Sequence, residues 1–509
     1  MTRPLVLAVC IGGTLFATFA NYVVEDLGHD EGMYLGASYL AMDKSLYSDF
    51  SYFQAPYLPL LLAATFEASG ASRLLLTGRR VTFLFHALTI LAITAITWHF
   101  TANAWATLVF TMLLAVNGFL YGAGYSIDNT IYASACLMLG LLGLLRAHEA
   151  AWRSRLLPFA SGVLVAIAAG FKLTHLATLA ACITSVTLGG RKRAIVPFLF
   201  GAALGLAPML VIFFDRAPEF WFDNLLWHVH LRATHLEQYG AFGFAKEFLD
   251  DASYYLAPGP WMGVLVLVTV FSLLLFFREP GHDRGRFWSF ERTLLCLVIA
   301  ASCAAILTIG AVRHWYLQSL AIALALLVPS VYPALGKGSR KAWMAAVILA
   351  VAYTAALEAP LLANVKRLVD SEPGRPQHFA DVGQKLGDLA RHLETRHVAL
   401  IGNPAVVYGV EAKLSLPAEA ATSAFLCASS TLAAERVSPD LLRSRHVATQ
   451  PDLAEAVTQG QIDMLVMSET VLDAEILCGD GALHEALRNS GFLRTALGEG
   501  WGAVVVFHR

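Results

Sequence analysis

The sequence predicts a mainly α-helical polytopic membrane protein that ends in a soluble α/β domain. Of its 509 residues, 57% are hydrophobic and only 15% are charged, whereas soluble domains carry roughly 25% charged residues. Apolar runs of about 20 residues, the length that crosses a bilayer, recur through roughly the first 360 residues. The rest of the chain changes to short strand-like and helix-like segments, which are typical of a small α/β unit.

The apolar runs predict about eleven membrane spans, whose ends are marked by charge, glycine or proline. The first run follows a single arginine and has no small-residue cleavage site after it, so we expect it to be retained. The segment 56–70 is apolar, short and contains proline, which favours a helix lying in the membrane interface. The predicted spans are 4–24, 80–99, 103–123, 130–146, 156–171, 173–189, 194–214, 260–277, 293–311, 315–333 and 342–362.

Lysine and arginine in the short loops predict the orientation of these spans, because such residues concentrate on the cytoplasmic side. Basic clusters fall in four alternate loops, at 146–155, 189–194, 278–292 and 336–341. The opposite side receives 25–79, 124–130, 215–259 and the region after 363. We therefore predict a protein of the inner, cytoplasmic membrane whose acidic loop and C-terminal domain are extracytoplasmic.

The region after the last span is predicted to be a compact α/β domain. Strand-like runs alternate there with helix-like stretches near 377–393, 451–459 and 482–490. A segment with charge, glycine and proline at 366–377 is the predicted linker, so the two domains are 1–365 and 366–509. The strand-like runs are 397–403, 462–468 and 503–509.

Cysteine usage fits this arrangement. Five of the seven cysteines lie in apolar spans, where a small buried hydrophobic role is expected. Cys427 and Cys478 lie in the outer domain, where an oxidising compartment predicts a disulfide between them unless the fold holds the two apart. No Cys/His spacing indicates zinc, and a formal net charge of −2 gives no support for nucleic-acid binding.

Ionisable residues gather at the outer ends of four spans. The stretch EDLGHDEGMY places Asp30 and Glu31 just after the first span, while Asp128, Lys172 and His314 lie at three other outer boundaries. Charged groups at membrane depth are energetically costly and usually face a cavity or one another. We therefore expect one polar pocket beneath the outer loops.

This arrangement resembles the GT-C superfamily of membrane glycosyltransferases, particularly glycosyltransferase family 39, whose relatives include protein O-mannosyltransferases and lipid A aminoarabinose transferases. HDEGMYLGASYLAMDKSLYSDFSYFQAPYLPLL is similar to the first outer loop of that family. SIDNTIYASACLMLGLL resembles its second aspartate entering a span, and GFKLTHLATLA its Gly-x-Lys segment. FWFDNLLWHVHLRATH is similar to the aromatic stretch that ends in a phosphate-binding arginine, here Arg232. The resemblance covers about residues 4–362.

The resemblance implies transfer of a sugar from a polyprenyl-phosphate donor to an envelope glycan, a glycolipid or a protein. The acceptor hydroxyl must lose a proton, and Asp30 is the candidate general base. Direct displacement with one base inverts the anomeric centre. The other catalytic candidates are Glu31 and Asp128. The departing phosphate stays negative, so cations should assist it. The candidate cations are Lys172, Arg232, Arg79 and His314, and the residues expected to contact substrate are Tyr34, Tyr57 and Tyr316.

These candidates also have structural alternatives. Asp30 and Asp128 can cap the helices that follow them, and Glu31 can pair with an arginine. Lys172 can extend its side chain to the interface, and Arg79 can act as a membrane anchor. His29 could reach a metal ion together with Asp30, so a divalent cation stays open, and no other cofactor is predicted.

Two further observations limit the interpretation. Aminoarabinose transferases carry a lysine before the proline of the segment YFQAPY, where this chain has Gln54 and Ala55. One phosphate-binding cation of that subgroup is therefore missing. The main alternative function is a transporter or lipid flippase, but transporters place ionisable groups near the midplane in repeated halves. A non-catalytic scaffold of an envelope-glycan assembly is the third alternative.

Overall fold

The computed structural model is mostly helical. It describes the chain apart from residues 1–2, 26, 29, 118–125, 190–191, 232, 234–245, 247–248, 251–252, 254–261, 280–288, 310–313, 358–359, 371–374, 426–429, 431–436, 469–481, 498–503 and 509. The helices of the first 215 residues are α1 (Arg3–Val24), α2 (Glu31–Leu40), α3 (Tyr57–Ser69), α4 (Leu74–Thr101), α5 (Ala104–Ala115), α6 (Asn129–Glu149), α7 (Leu156–Phe171), α8 (His175–Leu188) and α9 (Lys192–Asp215).

A short outer segment follows α9. It consists of α10 (Ala217–Trp221) and a π-helical turn, Phe222–Leu226. The next helices are α11 (Met262–Arg278), α12 (Phe290–Ile309), α13 (His314–Val331), α14 (Lys337–Leu357) and α15 (Pro360–Val369). The C-terminal region contains α16 (Arg375–His392), β1 (Val398–Ile401), α17 (Asn403–Glu411), a 3₁₀ helix (Ala418–Phe425), α18 (Pro439–Ser444), α19 (Gln450–Thr458), β2 (Met464–Ser468), α20 (Ala482–Asn489), β3 (Leu493–Leu497) and β4 (Val504–His508).

Six helices in the described part of the chain are long and apolar enough to cross a membrane, namely α4, α6, α9, α12, α13 and α14. Five shorter apolar helices accompany them, namely α1, α5, α7, α8 and α11. Each predicted span overlaps one of these helices, while the number that cross the membrane stays a prediction. The interfacial segment 56–70 forms α3, which ends at Gly70 in the left-handed conformation (φ 56°).

Helix α6 begins just after Asp128 and has 21 residues, which make a helix about 30 Å long. At its far end, His148 Nδ1 lies 2.9 Å from Glu291 Oε1, and the His148 ring stacks on Phe290. A Cβ atom at Gly189 would lie 3.4 Å from the same phenyl ring. The described parts of three basic loops therefore meet at the end of α6 opposite Asp128, while the side of the membrane on which they lie stays a prediction.

The C-terminal region contains a four-stranded sheet in the order β1-β2-β4-β3. β1 and β2 are parallel, and β4 is antiparallel to both of its neighbours, β2 and β3. The three strands predicted from the sequence are β1, β2 and β4. β3 was not predicted, because its sequence LRTAL is mostly exposed at the sheet edge and lacks a continuous apolar run.

The C-terminal region packs directly on α2. α17 begins after Gly402, whose φ of 87° is a conformation that glycine adopts readily. A Cβ atom at Gly32 would lie 2.5 Å from the Asn403 carbonyl oxygen, and one at Gly36 would lie 2.6 Å from Val406 Cγ1. The two glycines of α2 therefore permit a backbone approach that a larger residue would obstruct. This packing places the start of α2, with Asp30 and Glu31, next to the C-terminal region.

Candidate active site

Asp30 occupies the position that precedes α2 and is half-buried. Its backbone carbonyl accepts a hydrogen bond from Tyr34 N at 3.1 Å. Its side chain accepts no hydrogen bond from the first turn of α2. The carboxylate thus does not fulfil the helix-capping alternative, which keeps Asp30 as the candidate base.

Glu31, by contrast, is fully buried and saturated by protein donors. Its Oε1 accepts from Arg79 Nε at 2.8 Å and from Ile127 N at 3.0 Å. Its Oε2 accepts from Arg79 Nη2 at 2.7 Å and from Gly28 N at 3.1 Å. A carboxylate with both oxygens engaged in this way has little capacity left for a substrate hydroxyl, so the geometry favours the structural alternative for Glu31 over its catalytic candidacy.

Arg79 is equally buried and spans three segments of the chain. Besides Glu31, its guanidinium donates from Nη1 to the backbone oxygens of Tyr22 at 3.3 Å and Glu25 at 2.8 Å. The predicted phosphate contact would require this guanidinium to leave those carbonyls and a buried carboxylate. The geometry therefore favours a structural role for Arg79, which joins α4 to the end of α1 and the start of α2.

Asp128 caps α6. Its side chain accepts from Thr130 N at 2.6 Å, and its extended backbone (φ −144°, ψ 134°) is the one that an N-cap residue adopts. The capping alternative for Asp128 is therefore present in the structure. The cap also orients the carboxylate at the N-terminus of α6, where a negative charge is favourable.

Lys172 lies in the break between α7 and α8, where its backbone is extended. Its side chain is 5% exposed, and Nζ donates to Thr130 Oγ1 at 2.9 Å. Its charge interacts with the carboxylates of Asp128 and Asp30, and the interaction with Asp128 is the larger of the two. The cation therefore does not extend to an exposed interface. The buried lysine and the two half-buried candidate carboxylates form one polar group.

The first outer loop reaches the same helix N-terminus. Asn129 Nδ2 lies 3.2 Å from Gln54 Oε1, and Gln54 O accepts from the Tyr47 hydroxyl at 2.6 Å. In this chain the loop therefore meets α6 through neutral amides, and the buried cation of the site is supplied by Lys172.

Tyr57, predicted to contact substrate, instead inserts into α9. Its hydroxyl donates to Gly205 O at 2.6 Å and accepts from Met209 N at 3.3 Å. These two groups would otherwise bond each other in the helix, next to Pro208, which has no N–H to donate. The contacts favour a structural role for Tyr57, joining α3 to the spans.

Tyr34 and Tyr52 lie nearer the acidic residues. Their ring centroids are 6.4 Å apart with the rings inclined at 71°. Tyr52 is fully buried and interacts electrostatically with Asp128 and Asp30. Its hydroxyl has no hydrogen-bond partner among the described residues. Tyr52 is not among the site residues predicted from the sequence, although it lies in the segment YFQAPY.

Several predicted residues cannot be compared. Arg232, His29, Cys427 and Cys478 lie outside the described residues. His314 and Tyr316 begin α13, but the structure does not describe their side chains. Their roles therefore stay predictions, as does the disulfide. The five cysteines of the apolar helices are free thiols.

A second residue that sequence reasoning missed is Asp223, an acidic residue in the π-helical turn after α10. It is fully buried, and burial raises its pKa to about 7. Its oxygens accept from Ser51 Oγ at 3.1 Å and from Tyr52 N at 2.9 Å. The only sequence signal was an aspartate inside the aromatic run FWFDNLLW.

Phe53, the residue after Tyr52, also contacts the segment that follows α9. Its ring stacks on Trp227 at 4.0 Å with 7° between the planes. His228 Nε2 lies 2.9 Å from Phe53 O, and burial lowers the pKa of His228, so the neutral ring donates this bond. Three consecutive residues of the first outer loop are thus fixed by the segment that follows α9.

No group of three or more His, Cys, Asp or Glu side chains converges as a metal site within the described ranges. A cavity of about 430 Å³ lies in the C-terminal region beside β1. Its lining includes Arg396, His397 and Arg443 and none of the predicted site residues. The acidic site is therefore defined by its convergent side chains and not by this cavity.

The chain shares its overall fold with solved structures of ArnT and AglB, which confirms the fold that the predicted resemblance implies. Its helices make it an integral membrane protein. The proteins with a similar fold are known from solved structures. ArnT from Cupriavidus metallidurans bound to undecaprenyl phosphate matches with TM-score 0.56 and 15% identity over 99% of this chain and 97% of that one.

Two further structures are similar. The apo state of the same ArnT has TM-score 0.57 and 14% identity, with 98% of this chain and 97% of that chain covered. AglB from Archaeoglobus fulgidus, in complex with an inhibitory peptide and a dolichol-phosphate, has TM-score 0.50 and 12% identity, with 98% and 74% covered. No family model and no curated protein sequence matches the chain. At these identities the likeness establishes the fold.

Proposed function

We propose that the protein is a membrane glycosyltransferase that moves a sugar from a polyprenyl-phosphate donor to an acceptor hydroxyl on the extracytoplasmic side. The observation that carries this proposal is the convergence of Asp30, Asp128 and Lys172 at one end of the helical region. The GT-C fold supports the reaction class. The undecaprenyl phosphate in the ArnT structure and the dolichol-phosphate in the AglB structure support a lipid-phosphate donor.

In the proposed mechanism, Asp30 accepts the proton of the acceptor hydroxyl as its oxygen attacks the anomeric carbon of the donor. The bond between that carbon and the phosphate oxygen breaks, and polyprenyl phosphate leaves with the electron pair. Attack from the opposite face inverts the anomeric centre. Asp30 is proposed for this role because the resemblance implies it and because it lies near Lys172.

Lys172 is the proposed partner of the departing phosphate. It is buried, so its charge acts through a low-dielectric environment where electrostatic stabilisation is strongest. Thr130 fixes Nζ, and Asp128 lies next to Thr130 as the cap of α6. Arg232 and His314 remain proposed additional cations, Tyr34 and Tyr316 remain proposed substrate contacts, and a divalent cation stays open.

Glu31, Arg79 and Tyr57 are given structural roles in this proposal. Glu31 and Arg79 fix the start of α2, and hence the residue before it, Asp30. Tyr57 fixes α3 against α9. These assignments follow from the hydrogen bonds that occupy the three side chains.

The experiment uses the full-length protein in membranes with radiolabelled polyprenyl-phosphate sugars. We expect label to appear in a non-lipid-phosphate product and polyprenyl phosphate to be released in equal amount. A flippase would instead move the intact labelled lipid between leaflets, which a membrane-impermeant probe of the sugar detects. Movement of intact donor without cleavage would reject the transferase proposal.

A further inference from the structure

Asp223 lies where three separate parts of the chain meet. Its carboxyl oxygens contact Ser51 Oγ at 3.1 Å and Tyr52 N at 2.9 Å, both in the first outer loop. The Ser51 hydroxyl also contacts the backbone oxygen of Arg445, in the C-terminal region. One carboxyl group thus joins the segment after α9 to the first outer loop, and through Ser51 to the C-terminal region.

The single proton of the Ser51 hydroxyl limits which contacts at this junction can be hydrogen bonds at the same time. The Ser51 hydroxyl has one proton, yet it lies within hydrogen-bonding distance of two acceptors, the Asp223 carboxyl and Arg445 O. If Asp223 is ionised, one of these contacts has no hydrogen. If Asp223 is protonated, it donates to Ser51 Oγ, Ser51 donates to Arg445 O, and the other carboxyl oxygen still accepts from Tyr52 N. Only the neutral acid satisfies all three contacts.

The surroundings also favour the neutral acid. Asp223 is fully buried, and burial raises its pKa to about 7 against the opposing effect of the Tyr52 and Ser51 hydrogen bonds. The charged groups that face it among the described residues are Arg445, which favours the ionised form, and Glu219, which disfavours it. Arg445 Nη1 is paired with Glu219 Oε1 at 2.9 Å, which reduces its effect on Asp223. Tyr47 is the other titratable neighbour and is kept neutral by burial, which raises its pKa.

Ser51 and Tyr52 connect this junction to the acidic site. Tyr52 is fully buried and interacts electrostatically with Asp128 and Asp30. Its backbone N–H is held by Asp223, and the next residue, Phe53, stacks on Trp227. A change in the protonation of the Asp223 carboxyl therefore acts on the loop segment that positions the Tyr52 ring near Asp30 and Asp128.

We propose that Asp223 is a positioning residue which, as a neutral carboxylic acid, holds Ser51 and Tyr52 beside the acidic site and loosens them when it ionises. The proposal rests on the proposed function for its effect on sugar transfer, but its structural part is independent. It predicts a junction that is largely intact at pH 6 and is lost progressively as the pH rises through 7.

The experiment measures amide hydrogen exchange of the peptide containing Tyr52 in the full-length protein between pH 6 and pH 8, corrected for intrinsic exchange. With a pKa of about 7, the ionised fraction of Asp223 rises about tenfold over this interval. We expect a comparable rise in corrected exchange in the wild type. Asp223→Asn keeps a neutral donor and acceptor at the same places, so its exchange should stay low at both pH values.

Two controls complete the test. Asp250→Asn changes an exposed aspartate of the same outer region and should follow the wild type. Asp223→Ala removes the junction and should exchange rapidly at both pH values. Wild-type exchange that does not change with pH, or Asp223→Asn that behaves like either the wild type or Asp223→Ala, would overturn the proposal.

Sugar transfer provides the second measurement. If the proposed function holds, the wild type should lose activity above pH 7 through a higher KM for the donor, and Asp223→Asn should keep its KM. If no transfer is found at any pH, the proposed function fails while the exchange result still decides the role of Asp223. Transfer with identical pH profiles in both proteins would contradict the positioning role.

Discussion

Glu31 and Arg79 form a bidentate ion pair, with Nε–Oε1 at 2.8 Å and Nη2–Oε2 at 2.7 Å, in which both side chains are completely buried. The pair joins the first residue of α2 to α4. Backbone N–H groups of Gly28 and Ile127 satisfy the remaining capacity of the carboxylate. Because Asp30 immediately precedes Glu31, the position of the candidate base depends on this pair.

We predict that Arg79→Ala strongly destabilises the protein. Removing one partner of a buried ion pair leaves the other charge unpaired and typically costs about 3–5 kcal/mol. The measurement is the apparent melting temperature of the purified protein in detergent. Arg80→Ala, at the exposed neighbouring position, is the matched control and should melt like the wild type. Normal stability of Arg79→Ala with a selective loss of lipid-phosphate binding would restore the phosphate role.

The next prediction concerns the two candidate carboxylates. Asp30→Asn should lower the transfer rate about 10²–10⁴-fold, since it removes the base while keeping shape, and donor binding should persist. Asp128→Asn should leave the melting temperature nearly unchanged, because asparagine caps helices as well as aspartate. Any loss of activity at Asp128 is then electrostatic. Near wild-type turnover of Asp30→Asn would assign the base to another residue, with Asp128 the next candidate.

Lys172→Ala should weaken binding of polyprenyl phosphate itself, with no sugar attached. A hydrogen bond to a charged group contributes about 1.5–3 kcal/mol, which corresponds to roughly tenfold to hundredfold in affinity. The exposed Lys246 of the outer region provides the control, Lys246→Ala. Equal affinities for the lipid phosphate in the wild type and Lys172→Ala would show that this lysine only stabilises the fold.

The helical region was predictable because long apolar runs and positive loop charges are local signals. They locate each of the apolar helices and the ends at which the basic loops meet. The resemblance identified Asp30, Asp128 and Lys172, and these are the residues that the fold brings together. The sequence also offered capping of α6 as an alternative role for Asp128, since the aspartate directly precedes an apolar run.

The contacts that decide between structural and chemical roles could not be predicted, because they join residues distant in sequence. Arg79 and Glu31 are 48 positions apart, and Asp223 and Ser51 are 172 apart. Likewise, nothing near Tyr57 indicates that its hydroxyl inserts into α9. Sequence patterns report which residue types are present, while tertiary packing determines which of them are already occupied by protein partners.

Gly32→Ala tests the packing of the C-terminal region on α2. The added methyl group would lie 2.5 Å from the Asn403 backbone oxygen, so either α2 or α17 must move. Overpacking of this kind typically costs about 1–3 kcal/mol, and the movement displaces Asp30. We expect lower activity and easier proteolysis of the C-terminal region. Gly13→Ala, where nothing lies within 4 Å, should change neither property, and an unaffected Gly32→Ala would refute the close approach as a requirement.

The last prediction concerns the pH dependence of stability. Burial raises the pKa of Asp223 from 3.8 to about 7 in the folded protein, so between these values the folded state binds a proton that the unfolded chain has released. Stability therefore falls as pH rises from about 4 to about 7 and then levels off. Asp223→Asn has no such proton to bind. We expect its apparent melting temperature to gain on that of the wild type as pH rises through this interval, with the difference constant above pH 7. A difference that is constant from pH 4 to pH 8 would mean that the folded-state pKa of Asp223 is not raised.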